Sequence, residues 1–311
     1  MTTLPAKIGV TPPAIRKSSR AGKTLLENFP SAFFNETGRY FAEKELIAFL
    51  NGADAVLLGR DPVNENVLNA LPNLRMVAKY GVGLDNIDQD AMRRRGVALG
   101  YTAGVNKLSV AELAVGFMLG LCHNIFATGF ALKQNNWVKD GGHQLSGKTV
   151  GIVGCGNIGK EVVRLLRPFA CRVLTRDILD MPEFCQAHEV EETGFDDLIA
   201  RSDIVSLHLP LTETTADMID ARIFQKMKTG AFLVNTSRGG IVNEKDLKQA
   251  LLAGDIAGAA LDVFAQEPPA DNGLLACPNL MATPHIGGNS VEAKSAMAQS
   301  AVASLVEFFK K

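Results

Sequence analysis

Three polar segments in the last third of the chain carry residues whose types could do acid–base chemistry. They are NTSRG around Arg238, FAQEPP around Glu267 and ATPHIGG around His285. A histidine titrates near neutral pH, so it can both give and take a proton, and a carboxylate beside it stabilises the protonated ring. A guanidinium can donate two parallel hydrogen bonds to one carboxylate. These residue types together suit proton transfer to or from a small acid that is held by its carboxylate.

A glycine-rich segment in the middle of the chain has the spacing of a phosphate-binding turn. Residues 154–159 read GCGNIG, between the apolar run TVGIV and a helical pattern that begins near Asn157. In this context the first glycine permits a tight turn, the second lets the backbone approach a pyrophosphate, and the third lets the helix pack against the strand. A glycine turn without a ligand is the alternative interpretation. The predicted dinucleotide contacts are Gly154, Gly156, Asn157, Ile158 and Gly159.

The choice between NAD and NADP depends on Asp177, which follows the next apolar run, CRVLTR. A carboxylate at the end of that strand can accept hydrogen bonds from the adenosine ribose, and it repels a 2′-phosphate. Arg176 beside it could instead hold such a phosphate. The carboxylate favours NAD as the cofactor.

The length, charge and cysteine content of the chain limit the kinds of protein it can be. The chain has 311 residues, 47% of them hydrophobic, with 32 Lys and Arg against 33 Asp and Glu. This length predicts two domains, and the balanced charge indicates neither a nucleic-acid nor a membrane partner. The five cysteines are widely spaced and form no CxxC pair, so we expect no disulfide framework, no metal site and a reducing, cytoplasmic location. The N-terminus predicts no signal peptide, and no apolar stretch predicts a membrane span.

Apolar runs alternate with amphipathic ones twice along the chain, which predicts two α/β domains with doubly wound parallel sheets. The first cycle covers about the first hundred residues, and the second follows a helical stretch from about Leu108 to Lys133. Residues 289–311 predict one amphipathic helix. We place the first domain at 1–102 with 287–311, and the second, which carries the glycine loop, at 103–286.

With the glycine loop, the three polar segments resemble the D-isomer-specific 2-hydroxyacid dehydrogenase family over nearly the whole chain, and within it the short phosphoglycerate dehydrogenases without a C-terminal regulatory domain. The resemblance implies a flavodoxin-like substrate domain and a Rossmann dinucleotide-binding domain. It implies hydride transfer between NAD and C2 of a small 2-hydroxy or 2-oxo acid, with Arg238, Glu267 and His285 as catalytic residues. Taken singly, these could be a surface turn residue, a loop carboxylate and a core histidine.

The resemblance also carries over further cofactor positions. Asp262 matches a residue beside the nicotinamide carboxamide, and the segment SLHLPLTETT matches one on the adenine side, so His208 is assigned to cofactor binding rather than catalysis. The further positions implied are His208, Pro210, Thr215, Thr236, Asp262 and Gly287.

Substrate contacts are expected from the first domain. The segment 79–88, KYGVGLDNID, resembles a family turn whose backbone N–H groups at Val82 and Gly83 could hold a carboxylate. The same turn could simply cap the helix that begins near Asp88. Arg60 matches an arginine that meets a distal phosphate, although a surface arginine is the alternative, and Asn106 matches an asparagine near the active site.

These matches make 3-phosphoglycerate and serine biosynthesis the leading interpretation. A hydroxypyruvate or glyoxylate reductase and a D-lactate-type dehydrogenase are alternatives on the same site, and an NAD-sensing corepressor is an alternative of another class. The apolar stretch 109–133 resembles the family's dimerisation arm, which implies a homodimer, although core packing could explain it too.

Overall fold

The computed structural model describes residues 3–311 and divides them into two units. The first unit comprises residues up to 106 together with 290–311, and the second comprises 107–289. These divisions fall a few residues beyond the expected ones at 102 and 286. Residues 1 and 2, with which the predicted first domain and N-terminal segment begin, lie outside the described residues.

The first unit is built on five parallel strands in the order β2-β1-β3-β4-β5. This is the flavodoxin-like order, as predicted. Its strands are β1 (Ile8–Val10), β2 (Phe33–Phe34), β3 (Ala55–Leu58), β4 (Met76–Lys79) and β5 (Ala98–Gly100). Its helices are α1 (Arg20–Asn28), α2 (Glu43–Phe49), α3 (Glu65–Ala70), α4 (Gln89–Arg94) and α13 (Val291–Lys310).

Both faces of this sheet are covered, because successive side chains of a strand point to opposite faces. In β3, Ala55 and Leu57 pack in one core with α1 and α13, and Val56 and Leu58 pack in the other with α2, α3 and α4. A strand buried on both faces needs a continuous apolar run, which AVLL supplies. The C-terminal helix, whose partner the sequence left open, buries residues such as Leu305 in the first unit.

The second unit is built on seven parallel strands in the order β12-β11-β10-β9-β6-β7-β8, which confirms the predicted Rossmann arrangement. Its strands are β6 (Thr149–Val153), β7 (Arg172–Arg176), β8 (Glu191–Glu192), β9 (Ile204–Leu207), β10 (Phe232–Asn235), β11 (Gly258–Leu261) and β12 (Leu280–Ala282). Its helices are α5 (Lys107–Cys122), α6 (Ile125–Lys133), α7 (Asn157–Leu166), α8 (Pro182–His188), α9 (Phe195–Arg201), α10 (Ala221–Phe224), α11 (Glu244–Ala253) and α12 (Asn272–Leu275), with a 3₁₀ turn at Arg167–Phe169.

The single long helix expected from about Leu108 to Lys133 is wrong. The chain breaks between α5 and α6 at Asn124, which adopts the left-handed conformation with φ +50°. Asparagine tolerates that conformation better than most residues, so it allows the break. No single helix in residues 3–311 is long and apolar enough to cross a membrane. Helices α5 and α6 reach that length and composition only when taken together, and the chain bends by 67° between them.

Candidate active site

The strand order of the second unit creates a crevice at the carboxyl ends of its central strands. β6 pairs with β7 on one side and with β9 on the other, so the connections leaving β6 and β9 diverge. Ligands of open α/β sheets bind at such a switch point. The glycine loop follows β6 there, and His208 follows β9.

The three glycines of the loop have different local requirements. Gly154 has φ +88°, and a Cβ there would lie 2.6 Å from the backbone oxygen of His208. A Cβ on Gly159 would lie 2.3 Å from the backbone oxygen of Gly154, so the third glycine lets α7 pack against the loop. A Cβ on Gly156 would meet no heavy atom within 4 Å. The loop therefore leaves open space in front of Gly156, where a pyrophosphate fits.

Helix α7 presents its amino end to this space. Gly156 is its N-cap and has no side chain to accept from the first N–H groups, and the first turn contains no acidic residue. The predicted contacts Asn157 and Ile158 are the first two residues of the helix. Unsatisfied N–H groups and the helix dipole make such an end a binding site for an anion.

Asp177 directly follows β7 and braces the glycine loop. Its Oδ2 accepts a hydrogen bond from the N–H of Cys155 at 2.6 Å, and its Oδ1 accepts from the N–H of Leu179 at 3.0 Å. The sequence predicted only a ribose contact for this carboxylate. Its structural role is to tie the strand that carries it to the loop after β6.

Two buried polar atoms in this region have no hydrogen-bond partner within residues 3–311. They are Nδ1 of His208 and Oγ1 of Thr236. Buried polar atoms are rarely left unpaired, so both are candidates to contact a ligand. Nε2 of His208 lies 3.0 Å from Oγ of Ser206, and burial lowers the pKa of His208 to about 4, so the ring is neutral near neutral pH.

The segment after His208 folds back on itself. Oγ1 of Thr215 donates to the backbone oxygen of Pro210 at 2.7 Å and accepts from the N–H of Thr212 at 2.8 Å. Thr215 therefore holds the shape of this loop. With the open glycine loop and the unpaired atoms of His208 and Thr236, the residues fit a dinucleotide.

Glu267 and His285, the two residues predicted to form an acid–base pair, are in contact. Nδ1 of His285 lies 2.8 and 2.9 Å from the two carboxylate oxygens of Glu267. Glu267 lies in the loop after β11, and His285 follows β12, the next strand of the sheet. The pair leaves Nε2 as the ring nitrogen that can exchange a proton with a ligand.

Arg238 follows β10 and is half buried. Its guanidinium donates to the backbone oxygen of Ser237 at 2.7 Å, and the side chain of Asn235 donates to the backbone oxygen of Arg238 at 2.8 Å. A Cβ on the next residue, Gly239, would lie 1.9 Å from the carbonyl of Phe264. This close approach brings the Arg238 loop against the loop that carries Glu267.

Asp262 has a role that the sequence did not reveal. Its Oδ1 accepts from Oγ1 of Thr283 at 2.6 Å and from the N–H of Ile286 at 2.7 Å, and its Oδ2 accepts from the N–H of Gly287 at 2.7 Å. The carboxylate is 1% exposed. Both oxygens thus hold the turn in which His285 adopts φ +54°, an unfavourable conformation for a residue with a Cβ.

The predicted substrate residues lie in the first unit. Val82 and Gly83 belong to the loop after β4, Arg60 is exposed after β3, and Asn106 is buried with no partner for Oδ1 in the described chain. Asp88 caps α4 by accepting from the N–H of Ala91 at 2.9 Å, so the turn does cap a helix.

Lys79 is a residue whose place the sequence did not indicate. Its side chain is 5% exposed, and its ammonium donates to the backbone oxygen of Gly59 at 2.6 Å and to Oδ1 of Asn86 at 2.7 Å. Asn86 in turn donates to the backbone oxygen of Asp61 at 2.6 Å. Lys79 therefore joins the loops after β3 and β4 to each other.

A Rossmann unit with an open glycine loop and a His–Glu pair defines a dinucleotide-dependent oxidoreductase. Residues 115–287 match the family described as D-isomer specific 2-hydroxyacid dehydrogenase, NAD binding domain. The chain belongs to the D-isomer-specific 2-hydroxyacid dehydrogenase family, and its cofactor is NAD. Among residues 3–311, no three His, Cys, Asp or Glu side chains are placed to hold a metal ion.

Relatives with known names are similar over most of this chain. It is 37% identical over 268 residues to hydroxypyruvate reductase of Thermotoga maritima, covering 83% of this chain and 85% of that one. It is 38% identical over 253 residues to D-3-phosphoglycerate dehydrogenase of Mycobacterium tuberculosis, covering 80% of this chain but 48% of that one. D-lactate dehydrogenase from Aquifex aeolicus, solved with NAD and lactic acid, superposes with a TM-score of 0.84 at 25% identity, covering 98% of this chain and 95% of that one.

Proposed function

We propose that the protein reversibly reduces a small 2-oxo acid to a D-2-hydroxy acid with Arg238, Glu267 and His285 as its catalytic residues. The observation that carries this proposal is the contact between Nδ1 of His285 and both oxygens of Glu267. When bound, NAD supplies or accepts the hydride at C2. The protein's own residues must then move one proton and orient the acid.

His285 performs the proton transfer in this proposal. In the reducing direction its protonated ring donates from Nε2 to the substrate oxygen, and in the oxidising direction the neutral ring takes that proton back. Glu267 fixes the ring orientation through Nδ1 and stabilises the protonated ring. Asp262 acts through the backbone of the His285 turn, so it is a positioning residue, and this support is compatible with the cofactor contact that the family implies.

Arg238 binds the substrate carboxylate and polarises the C2 oxygen. A planar guanidinium suits this role because its N–H groups can meet two acceptors at once. The backbone N–H groups of Val82 and Gly83 are proposed as a second carboxylate contact. Gly81, directly before them, has φ +121°, which allows the tight turn that such a contact needs. Asn106, with its unpaired Oδ1, is proposed as a further substrate contact.

For the substrate we propose an unphosphorylated acid such as hydroxypyruvate or glyoxylate. A hydroxypyruvate reductase, that of Thermotoga maritima, is similar over 83% of this chain. A distal phosphate needs cations to bind it, and the ammonium of Lys79 already donates to the backbone oxygen of Gly59 and to Oδ1 of Asn86. The second candidate is 3-phosphoglycerate, the leading interpretation of the sequence, and the exposed guanidinium of Arg60 favours it.

The test is NADH oxidation with hydroxypyruvate, glyoxylate, pyruvate and phosphohydroxypyruvate at equal concentrations. We expect the highest kcat/KM with an unphosphorylated acid. Arg60→Gln should change that kcat/KM no more than the control variant Lys44→Gln does. A preference for phosphohydroxypyruvate that Arg60→Gln abolishes would establish the second candidate. Absence of turnover with every acid would contradict the proposed function and favour the binding-protein alternative.

We further propose a homodimer and a cytoplasmic location. Helix α6 and the segment after it expose apolar side chains to an unusual degree, including Phe126, Phe130 and Trp137. Exposed apolar patches of this kind are typical of protein–protein interfaces. Light scattering after gel filtration should give a dimer for the protein and a monomer for Phe126→Ser/Phe130→Ser, and a monomeric parent protein would contradict the dimer.

A further inference from the structure

A cleft in the first unit has the size of a small-molecule site and is not used by the proposed reaction. Its volume is about 480 Å³, within the range of about 300–1,000 Å³ for ligand pockets. Its walls come from the loop after β1, from the first turn of α1 and from residues 291–299 of α13. Of the predicted substrate segment 79–88, only Tyr80 lines it. The cleft lies beyond the carboxyl end of β1, where sheets of this kind bind ligands.

Helices α1 and α13 both have their amino-terminal ends at the cleft. Arg20 is the first residue of α1 and Lys294 lies in the first turn of α13, and both line the cleft. At the other ends, the rings of Phe29 and Phe309 pack edge to face with centroids 5.7 Å apart. The two helices therefore run parallel, and the positive ends of two helix dipoles face one cavity.

Three cationic side chains line this cavity, and no carboxylate does. They are Arg16, Arg20 and Lys294, and in residues 3–311 none of them forms an ion pair. The neighbouring Lys17, in contrast, pairs with Glu36. Glu292, in the first turn of α13, is exposed and does not line the cleft. Cations at the positive ends of helices repel those ends, so a bound anion would relieve an unfavourable arrangement.

The loop that presents the two arginines is rigidly built. Oγ of Ser19 donates to the backbone oxygen of Arg16 at 2.7 Å and accepts from the N–H of Gly22 at 3.1 Å. A Cβ on Gly22 would lie 2.0 Å from the backbone oxygen of Arg16, so a glycine is required for the loop to fold onto α1. Arg16 and Arg20 are thus held on one turn beside the cavity.

We propose that this cleft binds a small phosphate-bearing molecule at a site separate from those of the cofactor and the substrate. Two of its three cations are arginines, whose planar N–H groups match the geometry of phosphate oxygens. Ser295 and Gln299 add polar groups to the wall, and Ile15 and Ala298 give it an apolar floor. The proposal does not depend on the proposed reaction, because its test measures binding alone.

The test is calorimetric titration of the full chain with inorganic pyrophosphate at constant ionic strength, with NADH present at saturation to occupy the glycine loop. Phosphate and citrate are titrated in parallel to separate phosphate recognition from general anion binding. The cleft variant is Arg16→Gln/Arg20→Gln/Lys294→Gln. The control, Lys23→Gln/Lys44→Gln/Lys310→Gln, removes the same charge from three exposed lysines of the same unit that do not line the cleft.

We expect saturable pyrophosphate binding that weakens at least tenfold in the cleft variant and stays unchanged in the control. Ala14→Trp, which keeps every cation and fills the exposed mouth of the cleft, should weaken binding as well. This variant tests the site even if the triple variant is unstable. The absence of saturable binding, equal losses in the control, tighter binding of citrate than of pyrophosphate, or unaltered binding in Ala14→Trp would each overturn the proposal.

Discussion

Nδ1 of His285 is 2.8 Å from one carboxylate oxygen of Glu267 and 2.9 Å from the other. The two residues are contributed by the loops after β11 and β12, which are neighbouring parallel strands. The carboxylate therefore fixes both the orientation of the ring and the nitrogen that remains available. This relationship makes His285 the residue whose substitution should be most informative.

Substitution of His285 by Asn should lower kcat by about 10²- to 10⁴-fold, because the proton transfer loses its donor and acceptor. Glu267→Gln should lower kcat less, because the imidazole remains but loses the carboxylate that holds its orientation through Nδ1. Steady-state kinetics would measure both effects. The control is Glu183→Gln on exposed α8, and a kcat for Glu267→Gln equal to that of the control would contradict the role given to the pair.

The substitution Asp262→Asn tests whether Asp262 positions the His285 turn or contacts the cofactor directly. An amide can accept at only one of the two positions that Asp262 now uses, so one of the N–H groups of Ile286 and Gly287 loses its acceptor. We expect a loss of about 1–3 kcal/mol in the free energy of unfolding. kcat should fall further than the affinity for NADH.

The matched variant for Asp262 is Thr283→Val, which removes a single hydrogen bond to the same carboxylate. It should cost about 1 kcal/mol, measured by urea unfolding. If Asp262→Asn weakened NADH binding strongly while leaving kcat and stability unchanged, the carboxylate would be a cofactor contact and not a positioning group.

Alanine substitutions at two glycines of the same loop should differ in their effect on stability. Gly156→Ala adds a Cβ in open space, so the melting temperature should stay close to that of the parent while NADH binding weakens by roughly tenfold, about 1.4 kcal/mol. Gly159→Ala places a Cβ against the backbone oxygen of Gly154, so stability and binding should both fall. Thermal unfolding and NADH fluorescence titration would measure these changes, and equal destabilisation by both variants would contradict this assignment.

The ring of His208, whose Nδ1 is buried, should make stability depend on pH. Its pKa is lowered by burial from 6.5 to about 4, so between these values the unfolded chain binds more protons than the folded one. The free energy of unfolding is therefore not reduced by this group above about pH 6.5. It falls as the pH decreases toward about 4, by on the order of 3 kcal/mol in total.

The measurement for His208 is urea unfolding at about pH 7 and about pH 5 for the parent protein and for His208→Asn, in which this contribution is absent. The parent should lose more stability between the two conditions than the variant. In NMR spectra the ring of His208 should show no titration near pH 6.5. A midpoint close to that value would mean that the ring is accessible to water.

The amino-acid sequence by itself determined the two parallel-sheet units, the position of the glycine loop and the residue types of the acid–base pair. The apolar runs of β3 and β6 can only be buried on both faces, which requires helices on both sides of a parallel sheet. The spacing of the three glycines within residues 154–159 is sufficient to indicate a phosphate-binding turn. Because such patterns arise from neighbouring residues, they can be recognised along the chain.

Only the tertiary structure decided the features that depend on distant partners. Asp262 supports the turn of His285, Lys79 joins two loops, and α13 belongs to the first unit, through contacts between residues far apart in the sequence. The break at Asn124 likewise depends on a backbone conformation that the apolar pattern around it does not encode. A carboxylate, an ammonium or an amphipathic helix has many possible partners, and packing of the whole unit selects one of them because an unpaired buried polar group is costly.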